Sequence, residues 1–479
     1  MRSSIEAKVA AEKGRSNTAA VQAKSGKYAN MVYSDFCRLA ASNLNVEPID
    51  MGYGDPANNK FIPKRLLETL RDELGKINAA AYPDVQGDVG LLEAFAEYIK
   101  RDEGVSSRYH LAIVSSGGRS AITNLIKVCM SPGDVILIPY PAWSGYKAST
   151  GYNDAKIFPV ETSSRSKFVP TEESIRTAIA EAKKTYPSGN VRMMILNSPH
   201  NPTGTVYSKD EIKSILKVLN KNNIICLADY TYRAIRDRSS EVPSVLRAAE
   251  ELETEMNVAA GTFTNKIVAM QTLGKVSLTP GLRIGYIAST NEDLINKFLF
   301  KKQATDFAGS QFIQRALAEY LHTGDQVEEF QKTVSFFNGR RNCFLSSIAK
   351  YGYSVENKNI IVGDSGFYVS FRVPRRYQVN KPLAEMSGVL GKYPFIEQSI
   401  DPEEYRGYFE LKGNIPGSEL FVLELIDKTG INILPGRLFC SAHEGAEEYE
   451  TWVRVALIQD ESTIEKAFAR IKQANLLTW

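Results

Sequence analysis

The chain has 479 residues, and its 58 basic side chains barely outnumber the 55 acidic ones, so no excess of positive charge exists to neutralise nucleic-acid phosphates. This length allows a large core and favours two or three domains, and 43% hydrophobic with 24% charged residues is typical of a globular enzyme. The five scattered cysteines lack C-x-x-C spacing, which argues against a metal or disulfide framework and favours a reducing, cytoplasmic compartment.

The first segment, residues 1–48, is basic, rich in Ser and Ala, and without the hydrophobic core of a signal peptide. We interpret it as an N-terminal arm that packs on another subunit or stays mobile. No apolar run in the chain approaches the ~18 residues that a membrane helix needs, so no membrane contact is expected.

From about residue 60 to 330, short apolar runs alternate with amphipathic helical stretches. One of these helices begins with a capping box from Ser208 to Glu211. The alternation predicts an α/β fold with a mostly parallel sheet, in which ligands bind beyond the carboxyl ends of the strands. The predicted strands are LAIVSS (111–116), GDVILIPYP (133–141), VRMMILNSP (191–199), IICLAD (224–229), KIVAMQTL (266–273) and RIGYIAS (283–289).

The alternation of short apolar runs and helical stretches ends after residue 330, where a long helical segment leads to the strand GFYVSF (366–371). A stretch dense in Tyr, Glu and Pro follows, and then two more strand-like runs and a final helix. The pattern predicts a smaller α+β domain. The predicted divisions are an arm at 1–48, a large domain at 49–328, and a small domain at 329–479 with an insertion at about 372–429.

Two loops supply candidate anion and oxygen contacts. In VSSGGRSAI (114–122), Gly117 and Gly118 let the backbone approach an anion at a helix N-terminus, although an ordinary strand-to-helix turn explains the same string. In NSPHNPTG (197–204), two prolines hold the loop, so the Asn201 amide can donate to a ligand oxygen from a fixed position.

A buried carboxylate and a lysine complete the pattern. Asp229 ends the strand in LADYTY, where a carboxylate is costly unless it is paired, and Tyr232 follows three residues on. A helix-capping Asp with a packed tyrosine is the plainer interpretation. In QTLGKVSLTPGLRIGY (271–286), Lys275 follows a strand and Arg283 lies eight positions on; alone, this lysine would be a surface charge.

An amine, a carboxylate for a heterocyclic nitrogen, a phenol and a phosphate cradle are the protein parts of a pyridoxal 5'-phosphate site. With these motifs the chain resembles the fold-type-I pyridoxal-phosphate enzymes, specifically the class I/II aminotransferases, over roughly residues 48–370 and 430–475. The resemblance implies a fold like that of aspartate aminotransferase.

The resemblance also implies roles for individual residues. Lys275 would form the internal aldimine and later move the proton in quinonoid chemistry, Asp229 would keep the ring nitrogen protonated, and Trp143 would stack on the ring. Asn201 and Tyr232 would bond the phenolic oxygen. The implied phosphate ligands are the backbone of Gly117, Gly118 and Arg119 with the side chains of Thr272 and Arg283.

Three further positions concern the substrate and assembly. Arg454 lies inside an apolar strand, and the family uses this position to clamp the substrate carboxylate; a structural salt bridge is the alternative. Gly54 matches a glycine that lines the carboxylate site. Tyr82 matches a tyrosine that reaches the phosphate of the neighbouring subunit, which implies a homodimer with shared active sites.

The resemblance leaves the reaction partly open. An aminotransferase acting on an α-amino acid is favoured, but the same machinery serves relatives that eliminate, replace or cyclise, such as aminocyclopropane-carboxylate synthases acting on S-adenosylmethionine. Those enzymes share the L-x-P-G-x-R-x-G arrangement of residues 278–285. Oxidases of the family and the effector domain of a transcription regulator are weaker alternatives. The 372–429 segment is either a surface insertion or a lid that shapes the pocket in a biosynthetic variant.

Overall fold

A computed structural model describes residues 29–56, 63–76, 78–236, 239–363, 365–382, 414–440 and 447–477. The strands are β1 (Ile49–Asp50), β2 (His110–Val114), β3 (Val135–Pro139), β4 (Lys156–Val160), β5 (Val191–Asn197), β6 (Ile225–Asp229), β7 (Ile267–Thr272), β8 (Gly285–Ser289), β9 (Ile360–Val362), β10 (Tyr368–Arg372), β11 (Lys381–Pro382), β12 (Asn414–Ile415), β13 (Ile431–Asn432), β14 (Leu434–Pro435) and β15 (Trp452–Ala456). The helices are α1 (Ala29–Asn43), α2 (Lys64–Leu74), α3 (Val89–Glu103), α4 (Gly117–Cys129), α5 (Gly145–Gly151), α6 (Glu172–Thr185), α7 (Lys209–Lys221), α8 (Val245–Glu255), α9 (Glu292–Gln303), α10 (Gln311–His322), α11 (Asp325–Ala349), α12 (Gly417–Thr429) and α13 (Glu461–Gln473).

The central sheet has seven strands in the order β2-β8-β7-β6-β5-β3-β4. Only β8 runs antiparallel to its neighbours, β2 and β7, so the predicted mostly parallel α/β sheet is confirmed. Strands β3 and β6 are almost wholly buried, as continuous apolar runs require. The edge strand β4 was not predicted, because Lys156 and Pro159 interrupt its apolar pattern; a sheet edge tolerates proline.

The direction of the strands brings the predicted motifs to one edge of this sheet. Strands β2, β3, β5, β6 and β7 all point the same way, since β2 and β7 both run against β8. The loops that follow their carboxyl ends therefore meet, which is where open α/β sheets bind ligands. The helix after β5 begins as predicted, with reciprocal hydrogen bonds between Ser208 and Glu211.

A second, antiparallel sheet has the order β14-β15-β10-β9. In its register, Ser370 on β10 lies opposite Arg454 on β15. Because side chains alternate between the two faces of a strand, Tyr368 shares the face of Ser370 and Arg454. This register places the arginine and the tyrosine diagonally beside each other.

The N-terminal segment corrects one expectation. Helix α1 packs against α12 and β13 of the same chain, and β1 pairs in parallel with β13. Residues 29–48 are therefore packed on their own chain rather than loose, while contact of this segment with another subunit stays a prediction; residues 1–28 lie outside the described part. The helical spacing of the apolar residues carries the signal, since the buried side chains include Tyr33, Phe36, Cys37 and Ala40.

The predicted insertion at 372–429 is partly core. Its last portion is α12, whose side chains are almost all buried. Leu420 and Phe421, for example, are part of the main hydrophobic cluster. The portion from Gly417 to Thr429 is therefore part of the packed core, and residues 383–413 of the predicted insertion lie outside the described residues.

Candidate active site

Lys275 lies in the loop after β7 and reaches across to the loop after β1. Its Nζ donates a hydrogen bond to the Gly54 carbonyl oxygen at 2.5 Å. The pKa of Lys275 is lowered to about 8, mainly by burial; the positive charges of Arg454 and Arg283 contribute to the lowering, and Asp55 opposes it. The lowered pKa keeps a substantial fraction of the amine neutral, and therefore nucleophilic, near physiological pH.

Asp229 ends β6 and is only 4% exposed. Tyr146 donates to its Oδ2 at 2.6 Å, and Thr231 donates to its Oδ1 from the backbone at 3.0 Å and the hydroxyl at 2.6 Å. Burial raises the pKa of Asp229, and these hydrogen bonds partly counter the rise. A cationic ligand group facing Asp229 would favour the ionised carboxylate further.

Arg454 is a buried cation, 5% exposed, on β15. Its Nη1 donates to Asn201 Oδ1 at 3.1 Å and its Nη2 donates to the Gly52 carbonyl oxygen. Within the described residues its Nε lacks a hydrogen-bond partner and no salt bridge is formed, so the alternative of a structural salt bridge has no support there. The guanidinium lies over the rings of Tyr368, at 4.5 Å, and Phe439, at 4.7 Å.

Asn201 joins this arginine to the predicted phenol. Its Nδ2 donates to the Tyr232 hydroxyl at 3.3 Å, while its backbone N–H donates to Asn197 Oδ1 at 2.8 Å. Asn197 in turn donates to the Asp229 carbonyl oxygen at 3.0 Å. These bonds hold the loop after β5 against the end of β6, which agrees with the fixed position expected for the Asn201 amide.

The glycine turn after β2 lies beside Arg283. The Arg283 Nη2 donates to the Ser116 carbonyl oxygen at 3.1 Å, and Gly117 adopts a positive φ of 76°. A Cβ at Gly117 would lie 2.5 Å from Arg283 Nη2, and one at Gly118 would lie 3.1 Å from Thr272 Cγ2. The first backbone amides of α4 and one guanidinium thus surround a cradle that tolerates only glycine.

Trp143 follows β3 and links the cradle to the carboxylate. The Arg119 guanidinium carbon lies 5.2 Å from the centre of the Trp143 ring. The ring of Tyr146 meets the Trp143 ring edge-on at 5.3 Å. One continuous set of contacts therefore runs from the glycine turn through Trp143 to Asp229.

Tyr82 is the predicted residue that the single chain does not bring to this group. Its side chain is 89% exposed and meets the ring of Phe307 edge-on at 5.8 Å.

Two residues at the site were missed by the sequence analysis. Tyr146 lies in the same PYPAWSGY string as Trp143, and its position near the end of β3 was a usable signal; Tyr368 lay in a string interpreted only as a strand.

Two other kinds of site find no support in the described part of the chain. No cluster of His, Cys, Asp and Glu side chains is placed there to hold a metal ion. None of the helices described is both long and apolar enough to span a bilayer.

Comparisons with known proteins agree on one family. The family model "Aminotransferase class I and II" matches residues 46–471. The LL-diaminopimelate aminotransferase 2 of Nostoc sp. is 24% identical over 443 residues, covering 92% of this chain and 94% of that protein. The 1-aminocyclopropane-1-carboxylate synthase 1 of Prunus mume is 23% identical over 400 residues, or 82% of this chain and 70% of that protein.

A solved structure shows the same fold. A double mutant of the aspartate aminotransferase from Thermus thermophilus superimposes with a TM-score of 0.72 at 19% identity, covering 96% of this chain and all of the other, 100%. The fold and the family model agree on most of the sequence, and pyridoxal 5'-phosphate is the cofactor that they imply. The chain belongs to the class I and II aminotransferase family.

Proposed function

We propose that this enzyme transfers the amino group of an α-amino acid, with Lys275 as the reacting amine and Arg454 as the clamp for the α-carboxylate. The observation that carries the proposal is that Lys275 and Arg454 both contact the same short segment, residues 52–54. Lys275 donates to the carbonyl of Gly54, and Arg454 donates to the carbonyl of Gly52. An α-amino acid needs an amine and a carboxylate partner in such proximity, because its own amino and carboxylate groups share one carbon.

The residues present fit pyridoxal phosphate. Lys275 offers a partly neutral amine for the aldehyde, Asp229 a carboxylate for the ring nitrogen, and the turn at Gly117 with Arg283 a cradle for the phosphate. When bound, this cofactor supplies an electron-accepting ring conjugated to the substrate's amino nitrogen. The Trp143 ring, partly exposed, offers an aromatic face beside the cradle.

The protein's own side chains then have separable tasks. Asp229 would favour a proton on the ring nitrogen of the bound cofactor, since an ion pair offsets the cost of burying its carboxylate. Asn201 and Tyr232 offer hydrogen-bond donors to the phenolic oxygen. With cofactor and substrate bound, Lys275 would be the base that takes the Cα proton of the substrate, because burial lowers the pKa of its amine. Arg454 orients the substrate throughout.

We also propose a homodimer with shared active sites. The support is Tyr82, whose phenol is 89% exposed and lies away from the other site residues of its own chain. Mixing a Lys275→Ala variant with a Tyr82→Ala variant tests this arrangement. If Tyr82 serves the partner, each hybrid dimer contains one intact site and activity returns on mixing; if Tyr82 serves its own chain or no site, mixing restores nothing.

The compartment and the arrangement of domains are further proposals. The buried Cys37 and Cys226 are free thiols, which supports a reducing compartment such as the cytoplasm and an amino-acid biosynthetic role there. The two sheets support a division near residue 328, although β1 pairs with β13 and so joins the first strand to the C-terminal part.

A direct assay distinguishes amino transfer from the second candidate, a cyclising or eliminating enzyme. That candidate is favoured by the 23% identity with an aminocyclopropane-carboxylate synthase, which is close to the identity with an aminotransferase. The purified enzyme is incubated with single amino acids and a keto acid, and then with S-adenosylmethionine. Transamination predicts a new amino acid from the keto acid; release of methylthioadenosine alone would reject it.

A further inference from the structure

Tyr368 is a buried side chain at the site to which the proposed function gives no task. It lies on β10, is 5% exposed, and its hydroxyl is 3.2 Å from the Tyr232 hydroxyl. The Arg454 guanidinium carbon lies 4.5 Å from the centre of its ring. The hydroxyl also lies where a Cβ at Gly54 would project, at 2.1 Å, so only glycine fits there. Tyr368 thus contacts the phenol, the carboxylate clamp and the segment that holds Lys275.

The hydrogen-bonding capacity of the Tyr232 hydroxyl shows how Tyr368 can set the direction of the Tyr232 hydrogen. The Tyr232 hydroxyl has one hydrogen to donate and two positions to accept. Asn201 Nδ2 fills one acceptor position at 3.3 Å, and this amide is held in that orientation because Arg454 donates to its oxygen at 3.1 Å. Tyr368 is the other partner of Tyr232 among the described residues. If Tyr368 donates, both acceptor positions are filled and the Tyr232 hydrogen is left for a ligand.

We propose that Tyr368 is a positioning residue that donates to Tyr232 and thereby aims the Tyr232 hydrogen at the phenolic oxygen of bound pyridoxal phosphate. The inference rests on the proposed roles of Lys275 and Tyr232. The position of Arg454 favours this direction, because a cation over the face of a phenol ring makes its O–H a stronger donor. An anionic oxygen is also a better acceptor for Tyr232 than the neutral Tyr368 hydroxyl.

The protonation of Tyr232 agrees with a donor role. Burial raises the pKa of Tyr232 well above its ordinary value, and Tyr368 raises it further. Tyr232 therefore keeps its hydrogen throughout the working pH range, and the open question is only where that hydrogen points.

A spectroscopic titration measures the direction. The visible absorbance of the bound cofactor changes at the pH where the nitrogen that links Lys275 to the cofactor loses its proton. That proton is shared with the phenolic oxygen of the cofactor. A hydrogen bond that Tyr232 donates to the phenolic oxygen weakens this sharing, so the proton is lost at a lower pH. In Tyr368→Phe the Tyr232 hydrogen is no longer directed, so we expect the midpoint to rise by about 0.5 to 1 pH unit, the size expected for partial loss of one charge-assisted hydrogen bond.

Two further variants separate positioning from general loosening. Tyr449→Phe removes the hydroxyl of another buried tyrosine, which bonds Ser370 on the same strand β10 at 2.6 Å, and we expect an unchanged midpoint. Tyr232→Phe should raise the midpoint by more than Tyr368→Phe does. Adding Tyr368→Phe to Tyr232→Phe should change nothing further, because Tyr368 acts through Tyr232 alone.

The outcomes are distinct from those that test the proposed function. The inference is overturned if Tyr368→Phe leaves the midpoint within about 0.2 pH unit of the wild type, if Tyr449→Phe shifts it equally, or if the double variant adds a second shift. Failure of the proposed role of Lys275 would instead appear in the Lys275→Ala variant, as a visible cofactor band that survives the substitution.

Discussion

Replacing Arg454 with lysine tests the carboxylate clamp while keeping the charge. The guanidinium donates to Asn201 and Gly52 and contacts two aromatic rings, so its orientation is restrained before a substrate arrives. A lysine ammonium has a different reach and cannot form the parallel pair of bonds that a carboxylate takes from arginine.

The magnitude follows from the bonds lost. Each hydrogen bond to a charged group contributes about 1.5–3 kcal/mol, and the substitution removes one bond of the pair and misaligns the other. We expect a loss of about 3 kcal/mol in transition-state stabilisation, which is roughly a hundredfold in kcat/KM for an α-amino acid. The same substitution should hardly change the reaction of the corresponding amine that lacks the carboxylate.

The assay follows the absorbance of the bound cofactor as each compound reacts in a single half-reaction. Arg372→Lys is the matched control, because Arg372 lies on the neighbouring strand β10 and stacks on Trp452 at 5.5 Å, and its buried Nε also has no hydrogen-bond partner among the described residues. A fall of less than about threefold in Arg454→Lys would refute the clamp. An equal fall for the amino acid and the amine would refute it as well, since it would indicate general disruption of the site.

Three other variants and reactions probe the remaining parts of the site. Gly117→Ala should weaken cofactor binding by roughly tenfold in equilibrium dialysis, since the new Cβ meets Arg283 and the positive φ adds about 1–2 kcal/mol of strain; an unchanged affinity contradicts the cradle. In the apo-protein, an amine-reactive reagent should label Lys275 with a midpoint near pH 8, because burial lowers its pKa and only the neutral amine reacts. Peptide mass spectrometry measures the labelling of Lys275 at each pH. A midpoint at the ordinary lysine value of about 10.4 would contradict the burial argument. Tyr146→Phe removes one hydrogen bond that counters the raised pKa of Asp229, so a larger fraction of that carboxyl is neutral and kcat should fall roughly tenfold; a kcat within about twofold of the wild type would show that Asp229 does not depend on Tyr146.

The sequence predicted most of the central sheet because its strands are continuous apolar runs. Strand β4 escaped detection, since its lysine and proline break the pattern that burial on both faces imposes on inner strands. The packing of helix α1 within its own chain was not predicted, because its partners α12 and β13 lie almost at the other end of the sequence.

The predicted site residues came from strings in which the chemistry is local. Asp229 ends a strand and Asn201 and Lys275 follow strands, and that context alone places them at one edge of the sheet. The two tyrosines that were missed act through partners far away in sequence. Tyr146 and Asp229 are 83 positions apart, and Tyr368 and Tyr232 are 136 apart. No spacing rule within one string could join such pairs, because their members lie on different elements that only the folded chain brings together.

Reduction with borohydride is the most direct test of the central claim, the covalent attachment of the cofactor to Lys275. The reduced protein is digested and the modified peptide is identified by mass spectrometry, with Lys275→Ala treated in parallel. The account predicts one modified lysine, at position 275, and no modified peptide from the variant. A cofactor adduct on any other lysine of the wild type, or a reducible chromophore retained by Lys275→Ala, would contradict it.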